Sequence, residues 1–247
     1  MAIKAFIFDV DGVIVDTEEL KLKAWSYAVG RDLTLEEYQA MVGHEWYGET
    51  GYADLLTEIA KENRTDLEGK NPQKIREIIT GRYKEHYEKL RSQEIPLVER
   101  NVELLHRLIK NQFDENGIMQ YELAIASSDP IDKILGNLRA AGVEDPEAVF
   151  GSIISGATDL EEGRSKPKPD IYTKTIDNLQ RVSPELGIKA ENCMVFEDTL
   201  AGATAARRAL IGNVFALPHR LSEHLDFFGT SHTRIEKEVS IDDFLGI

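Results

Sequence analysis

Residues 3–8 constrain this chain more than any other stretch. The run is apolar and partly β-branched, is interrupted only by Lys4, and stops at Asp9-Val10-Asp11-Gly12. A strand that is apolar on both faces has to be covered on both faces, as in a parallel sheet lined by helices. Open sheets of that kind bind their ligands just beyond the carboxyl ends of the strands. Two carboxylates and a glycine at such an end are candidates for chemistry, although Asp and Gly are also common in plain turns.

The rest of the chain divides by texture. From 18 to 90, apolar residues recur at helical spacing (Leu20, Ala24 and Tyr27; Ala53, Leu56 and Ile59; Ile75, Ile78 and Ile79), with Lys and Glu between them. This reads as a bundle of three or four helices jointed at Gly48, Gly51, Gly69 and Pro72. After Pro96, strands and helices alternate. A helix carrying Val102, Leu105, Leu108 and Ile109 leads through a polar loop, 111–120, to a strand over 123–126. A helix over 130–141 precedes a short strand over 149–154. A helix over 170–179, a strand over 193–196, a helix over 201–210 and a strand over 213–217 complete the series. The expected fold is α/β: a Rossmann-like parallel-sheet core with helices on both faces, residues 1–16 and 96–247, plus an inserted all-α cap, residues 17–95.

Composition narrows the function. The 247 residues suit one large domain or a domain with an appendage. With 29 Lys and Arg against 44 Asp and Glu, the net charge of −15 repels a phosphate backbone and argues against nucleic acid as a partner. No apolar run approaches the roughly 18–20 residues of a membrane span, and the first residues turn acidic too early for a signal peptide. Cys193 is the single cysteine, so no internal disulfide forms. It lies in an apolar strand and reads as an inert core thiol. These features predict a cytoplasmic protein, a monomer or dimer, that meets neither nucleic acid nor membrane. An anionic substrate would need a local cation to offset the acidic field.

The groups that follow each strand converge on one chemistry. Asp9 and Asp11 follow the first strand, Ser127 and Ser128 the second, and Glu197 and Asp198 the one at 193–196. Lys166 precedes the helix at 170. Gathered at one end of a sheet, these are the parts of a Mg²⁺-assisted phosphoryl-transfer site. They supply oxygen ligands for a hard cation, a carboxylate nucleophile and donors to phosphate oxygens. Plainer roles compete: Ser127 as a helix cap, Glu197 as a capping partner, and Lys168 in place of Lys166. His44, with Glu45, Trp46 and Tyr47, lies in a glycine-flanked stretch that is either a substrate-facing loop or a plain connection.

The four motifs together resemble the haloacid dehalogenase superfamily of phosphohydrolases. Within it they match the phosphoglycolate phosphatase and β-phosphoglucomutase-like subgroup, which carries a helical cap after the first motif. The motifs are Phe8-Asp9-Val10-Asp11-Gly12-Val13 with Asp16-Thr17, Ala126-Ser127-Ser128, Ser165-Lys166-Pro167-Lys168-Pro169-Asp170, and Val195-Phe196-Glu197-Asp198-Thr199 with Gly202. The resemblance implies that Asp9 attacks phosphorus and that Asp11 protonates the leaving alcohol, then activates water. It implies Mg²⁺ held by Asp9, the Asp11 carbonyl and Asp198, with Glu197 acting through a water. Ser127, the Ser128 N–H and Lys166 would hold the phosphoryl oxygens, and the substrate would be a small phosphorylated metabolite. Asp11 sets the chain apart from the dehalogenases, in which halide leaves without a proton.

Two alternatives stay open. A β-phosphoglucomutase-like isomerase shares Thr17 and Trp25, but such mutases carry a histidine where Lys21 stands and an arginine where Trp46 falls. A non-catalytic phospho-ligand binder would have no need of Asp11.

Overall fold

Ala5–Phe8 form β1, with every residue buried. The computed structural model describes residues 2–41, 52–93, 95–217 and 233–234; His44, Glu45, Trp46 and Tyr47 lie outside them. The other strands are β2 (Glu122–Ser127), β3 (Ser152–Ser155), β4 (Cys193–Glu197), β5 (Asn213–Ala216) and β6 (Thr233–Arg234). They form one sheet in the order β3-β2-β1-β4-β5-β6. Every pairing is parallel. The helices are α1 (Glu18–Val29), α2 (Leu35–Gln39), α3 (Ala53–Asn63), α4 (Pro72–Gln93), α5 (Glu99–Lys110), α6 (Ile131–Ala140), α7 (Pro146–Val149), α8 (Asp170–Val182) and α9 (Leu200–Arg208). The expected α/β class is thus present, and no described helix is long and apolar enough to cross a membrane.

Alternation along the strands gives the sheet two unlike faces. Ala5, Ile7, Ala124, Ala126, Cys193, Val195, Val214 and Ala216 cluster with Ile171, Tyr172, Ile176 and Leu179 of α8 and with Ala203, Ala205 and Ala206 of α9. Small strand residues let those helices approach closely. On the other face, Phe6, Phe8, Phe196 and Phe215 stack along neighbouring strands. Tyr121 stands edge-on to Phe6 and donates its hydroxyl to the Leu108 carbonyl of α5. Register then levels the strand ends. Phe8 lies opposite both Ile125 and Phe196, so Asp9, Ala126 and Glu197, the next residue on each, lie side by side at that end of the sheet.

By its internal contacts the chain forms two compact units. One holds Met1–Val15 and Leu97–Pro218, and the other Asp16–Pro96. Among its described residues the elements of the second unit are helices, with Trp25, Ala28, Val29, Leu56, Ile59, Ala60, Ile75 and Ile79 in its core. Trp25 stacks on Tyr83 at 4.1 Å. Gly30, at φ 94°, closes α1 in the left-handed region that glycine adopts without strain.

Two local expectations need correction. The strand expected over 149–154 starts only at Ser152, because Val149 ends α7. The Asp145 side chain accepts from the Ala148 N–H and Pro146 takes the first turn, so a capped helix start overrides the apolar run. The short helix α2 went unread among the apolar periods, although Thr34 and Glu37 form a reciprocal capping box at its start. Cys193 is buried, and burial pushes its thiol up to about 12, in keeping with an inert core residue.

Candidate active site

Asp9 leaves β1 with its N–H bonded to the Phe196 carbonyl at 3.0 Å, which binds it to the end of β4. The Lys166 ammonium reaches into the same place. Its Nζ donates to Asp9 Oδ1 at 2.6 Å, to Glu197 Oε1 at 2.5 Å and to the Ala126 carbonyl at 3.0 Å. An ammonium has three donors, and these acceptors use all of them. Lys168, the rival lysine, instead donates to the Gly163 carbonyl and is exposed.

The electrostatics follow from burial. Asp9 is 7% exposed and Glu197 0%. Burial pushes the Asp9 carboxyl up to about 7, opposed by the Lys166 charge and helped by Glu197 and Asp11. Burial also works against the charged form of Lys166, but Asp9 and Glu197 outweigh it and hold the ammonium above its ordinary range. Tyr172, on α8, donates its hydroxyl to Glu197 Oε1. Burial first, then the charges of Glu197 and Asp9, hold that phenol far above the usual tyrosine range. It therefore remains a donor.

Asp9, Glu197 and Asp198 are the group of described residues whose carboxylate oxygens approach closely enough to share an ion, all within 4.8 Å of one another. The donors are all oxygen, which suits a hard divalent cation. Two glycines make room for the cluster. A Cβ on Gly12 would lie 1.8 Å from Asp198 Oδ2, and one on Gly202 would lie 2.0 Å from the Glu197 carboxylate. Gly12 also takes φ 79°, a conformation other residues rarely adopt. Glu197 braces the start of α9, accepting from the N–H of its cap residue Thr199 at 3.5 Å. Thr199 accepts from the Gly202 N–H at 3.1 Å and donates to Glu197 Oε2 at 3.2 Å, so helix start and carboxylate brace each other.

The remaining expected residues are spread around this centre. Ser127 is buried at the end of β2, and its Oγ accepts from the Asp129 N–H at 3.3 Å. Ser128, next in the chain, is exposed. Asp11 is held by residues that sequence reading did not single out. Lys133 Nζ meets Asp11 Oδ2 at 3.0 Å and Asp129 Oδ2 at 2.6 Å, and the Asn137 amide donates to Asp11 Oδ1 at 3.3 Å. Burial, then the Asp11 charge, raises the Asp129 carboxyl above its usual range. The available signal was spacing: positions 129, 133 and 137 fall four apart along one helical face. In the helical unit, Lys21 pairs with Glu18 at 2.6 Å, and Tyr38 donates to the same carboxylate at 3.0 Å.

A family model for haloacid dehalogenase-like hydrolases matches residues 3–209. This chain is a member of that family. Among relatives of this hydrolase, the CbbY protein of Rhodobacter capsulatus is 27% identical over 216 residues, covering 85% of this chain and 83% of CbbY. A phosphorylated carbohydrates phosphatase of Thermotoga maritima is 27% identical over 223 residues, covering 89% of this chain and 88% of that protein. A crystal structure of an Entamoeba histolytica HAD hydrolase, family IA, variant 3, shares the hydrolase's fold with a TM-score of 0.59 at 21% identity, over 98% of each chain.

Proposed function

We propose that this hydrolase is a Mg²⁺-dependent phosphatase that cleaves small phosphorylated metabolites through an aspartyl-phosphate on Asp9. The observation that carries the reading is the Lys166 ammonium seated between Asp9 and Glu197, with Asp198 completing the carboxylate cluster. Lys166 neutralises carboxylates that would otherwise repel a phosphate dianion, and it stays charged to meet the developing transition state. Asp9 Oδ attacks phosphorus. Asp11 gives its proton to the departing oxygen and regains one from the water that attacks Asp9-bound phosphorus. Ser127 Oγ and the Ser128 N–H donate to the phosphoryl oxygens. Asp9, the Asp11 carbonyl and Asp198 would hold Mg²⁺, with Glu197 acting through a water; the ion supplies charge neutralisation at the phosphoryl oxygens. We read the unit Asp16–Pro96 as the cap that selects substrate. The relative named a phosphorylated carbohydrates phosphatase makes such compounds the first to test.

The test is phosphate release across a panel of sugar, polyol and nucleoside monophosphates, with organic products followed by phosphorus NMR. Release of inorganic phosphate supports the reading, whereas transfer between hydroxyls of one sugar supports the isomerase instead. Activity should vanish in EDTA and return with Mg²⁺. Ca²⁺, which takes more ligands at longer bonds, should not restore it. Undiminished activity in EDTA removes the metal from the reading.

Gly12→Ala tests the cradle separately. The added methyl meets Asp198 Oδ2 head-on at a φ that alanine resists. Mg²⁺ affinity, measured by isothermal titration on the folded variant, should fall about 10–100-fold, as when a supporting contact to a ligand is lost. Unchanged affinity would separate Asp198 from the metal.

A further inference from the structure

The Asp11 carboxylate is gripped from one side by α6, and the proposed reaction does not by itself require that grip. Lys133 Nζ holds Oδ2 at 3.0 Å and the Asn137 amide holds Oδ1 at 3.3 Å, so each oxygen has its own donor. Lys133 is held in turn by Asp129 at 2.6 Å. Asn137 is 0% exposed, on a helix whose other buried residues include Ile134 and Leu138. A polar amide at a fully buried helical position costs burial free energy that an apolar residue would not. Its amide donates to one oxygen of Asp11.

Asp11 needs outside support for a physical reason. It lies past the end of β1, where no ladder fixes its backbone beyond a single bridge to Val15. A free aspartate samples several staggered rotamers. A proton donor works only within hydrogen-bond reach of the departing oxygen, and a displacement of about 1 Å costs on the order of 100-fold in rate.

We infer that Lys133 and Asn137 are positioning residues that set the orientation of Asp11 for proton transfer to the leaving group, acting from α6 through the Asp11 carboxylate and not on the phosphoryl group or the leaving oxygen. The inference rests on the phosphatase reading. In the step concerned, the bond from phosphorus to the leaving oxygen breaks as Asp9 Oδ bonds to phosphorus, and the Asp11 proton goes to the departing oxygen. The attacking water later returns a proton to Asp11.

The discriminating measurement is the dependence of kcat/KM on leaving group, since this ratio reports steps up to the loss of the alcohol. p-Nitrophenyl phosphate releases a stable phenolate that hardly needs a proton; phenyl phosphate releases a far more basic oxygen that does. Asp11→Asn serves as the reference. Lys133→Met and Asn137→Ala should lower kcat/KM for phenyl phosphate about 10–100-fold while changing that for p-nitrophenyl phosphate by about threefold or less, and Lys133→Arg should recover part of the loss. A merely structural role, or a role as a general phosphate-attracting charge, would lower both esters alike. That result overturns the inference, and so does an unchanged phenyl phosphate rate. If Asp11→Asn discriminates between the esters and the α6 variants do not, only the positioning role fails. If Asp11→Asn does not discriminate, the acid role of Asp11 fails and takes the positioning role with it. Should Lys133→Met not fold, Asn137→Ala and Lys133→Gln carry the same comparison.

Discussion

Asp9→Asn is expected to abolish turnover while leaving the fold in place. An amide does not attack phosphorus, and loss of an essential nucleophile costs on the order of 10⁴-fold or more. The substitution is nearly isosteric. Lys166 keeps its bonds to Glu197 and to the Ala126 carbonyl, so the site does not collapse for want of a partner. Phosphate release should fall to background with an unchanged circular dichroism spectrum. Residual activity above about one percent of wild type, with deamidation excluded by mass spectrometry, would take the nucleophile away from Asp9.

Lys166→Met should damage both stability and rate. It leaves Asp9 and Glu197 facing each other in a buried site without the ammonium that joins them. Removing one member of a buried ion pair costs about 3–5 kcal/mol. The loss has a definite pH dependence. Without the opposing ammonium, burial makes Asp9 resist ionisation more than in the unfolded chain, so the folded state binds more protons and stability falls as pH rises. Already in the intact site Asp9 titrates at about 7 against an ordinary 3.8. The variant should therefore lie nearest to wild type around pH 5 and fall further below it as pH rises through 7. Denaturant midpoints measured in EDTA at pH 5 and pH 8 report this directly. A pH-independent difference would mean that the lysine does not hold the two carboxylates together. Its catalytic loss should be about 100–1,000-fold.

What was legible in the sequence depended on how local the signal was. β1, β2 and β4 were visible because both of their faces are buried, leaving unbroken apolar runs in place of alternation. Asp9, Glu197 and Lys166 could be nominated because each follows a strand or precedes a helix at a readable joint. The grip on Asp11 was not legible. Asp11 and Lys133 are far apart in the chain, and nothing in the spacing of 129, 133 and 137 names the carboxylate they serve. The start of β3 was misplaced because Val149 is β-branched and apolar, yet belongs to a turn of helix begun by Asp145-Pro146. β6 has no apolar run at all: its two residues, Thr233 and Arg234, join the sheet through backbone pairing with Phe215 and Ala216. The substrate preference sought in the Gly43 to Gly51 stretch rests on residues outside those described.

The strand order also governs how the molecule comes into being. β1 precedes every other strand in the chain, yet it occupies an interior place in the sheet, between Glu122–Ser127 on one side and Cys193–Glu197 on the other. During synthesis its two unsatisfied edges wait for partners delivered long afterwards, with the whole helical insertion made in between. Non-local parallel pairing of this kind slows folding and leaves an apolar strand open to wrong partners in the interval. The helical unit, contained within Asp16–Pro96, is complete in the chain long before those partners are made. The first strand thus stays exposed until Phe196 has left the ribosome, and the surroundings of Asp9 are assembled only as the central seam of the sheet closes.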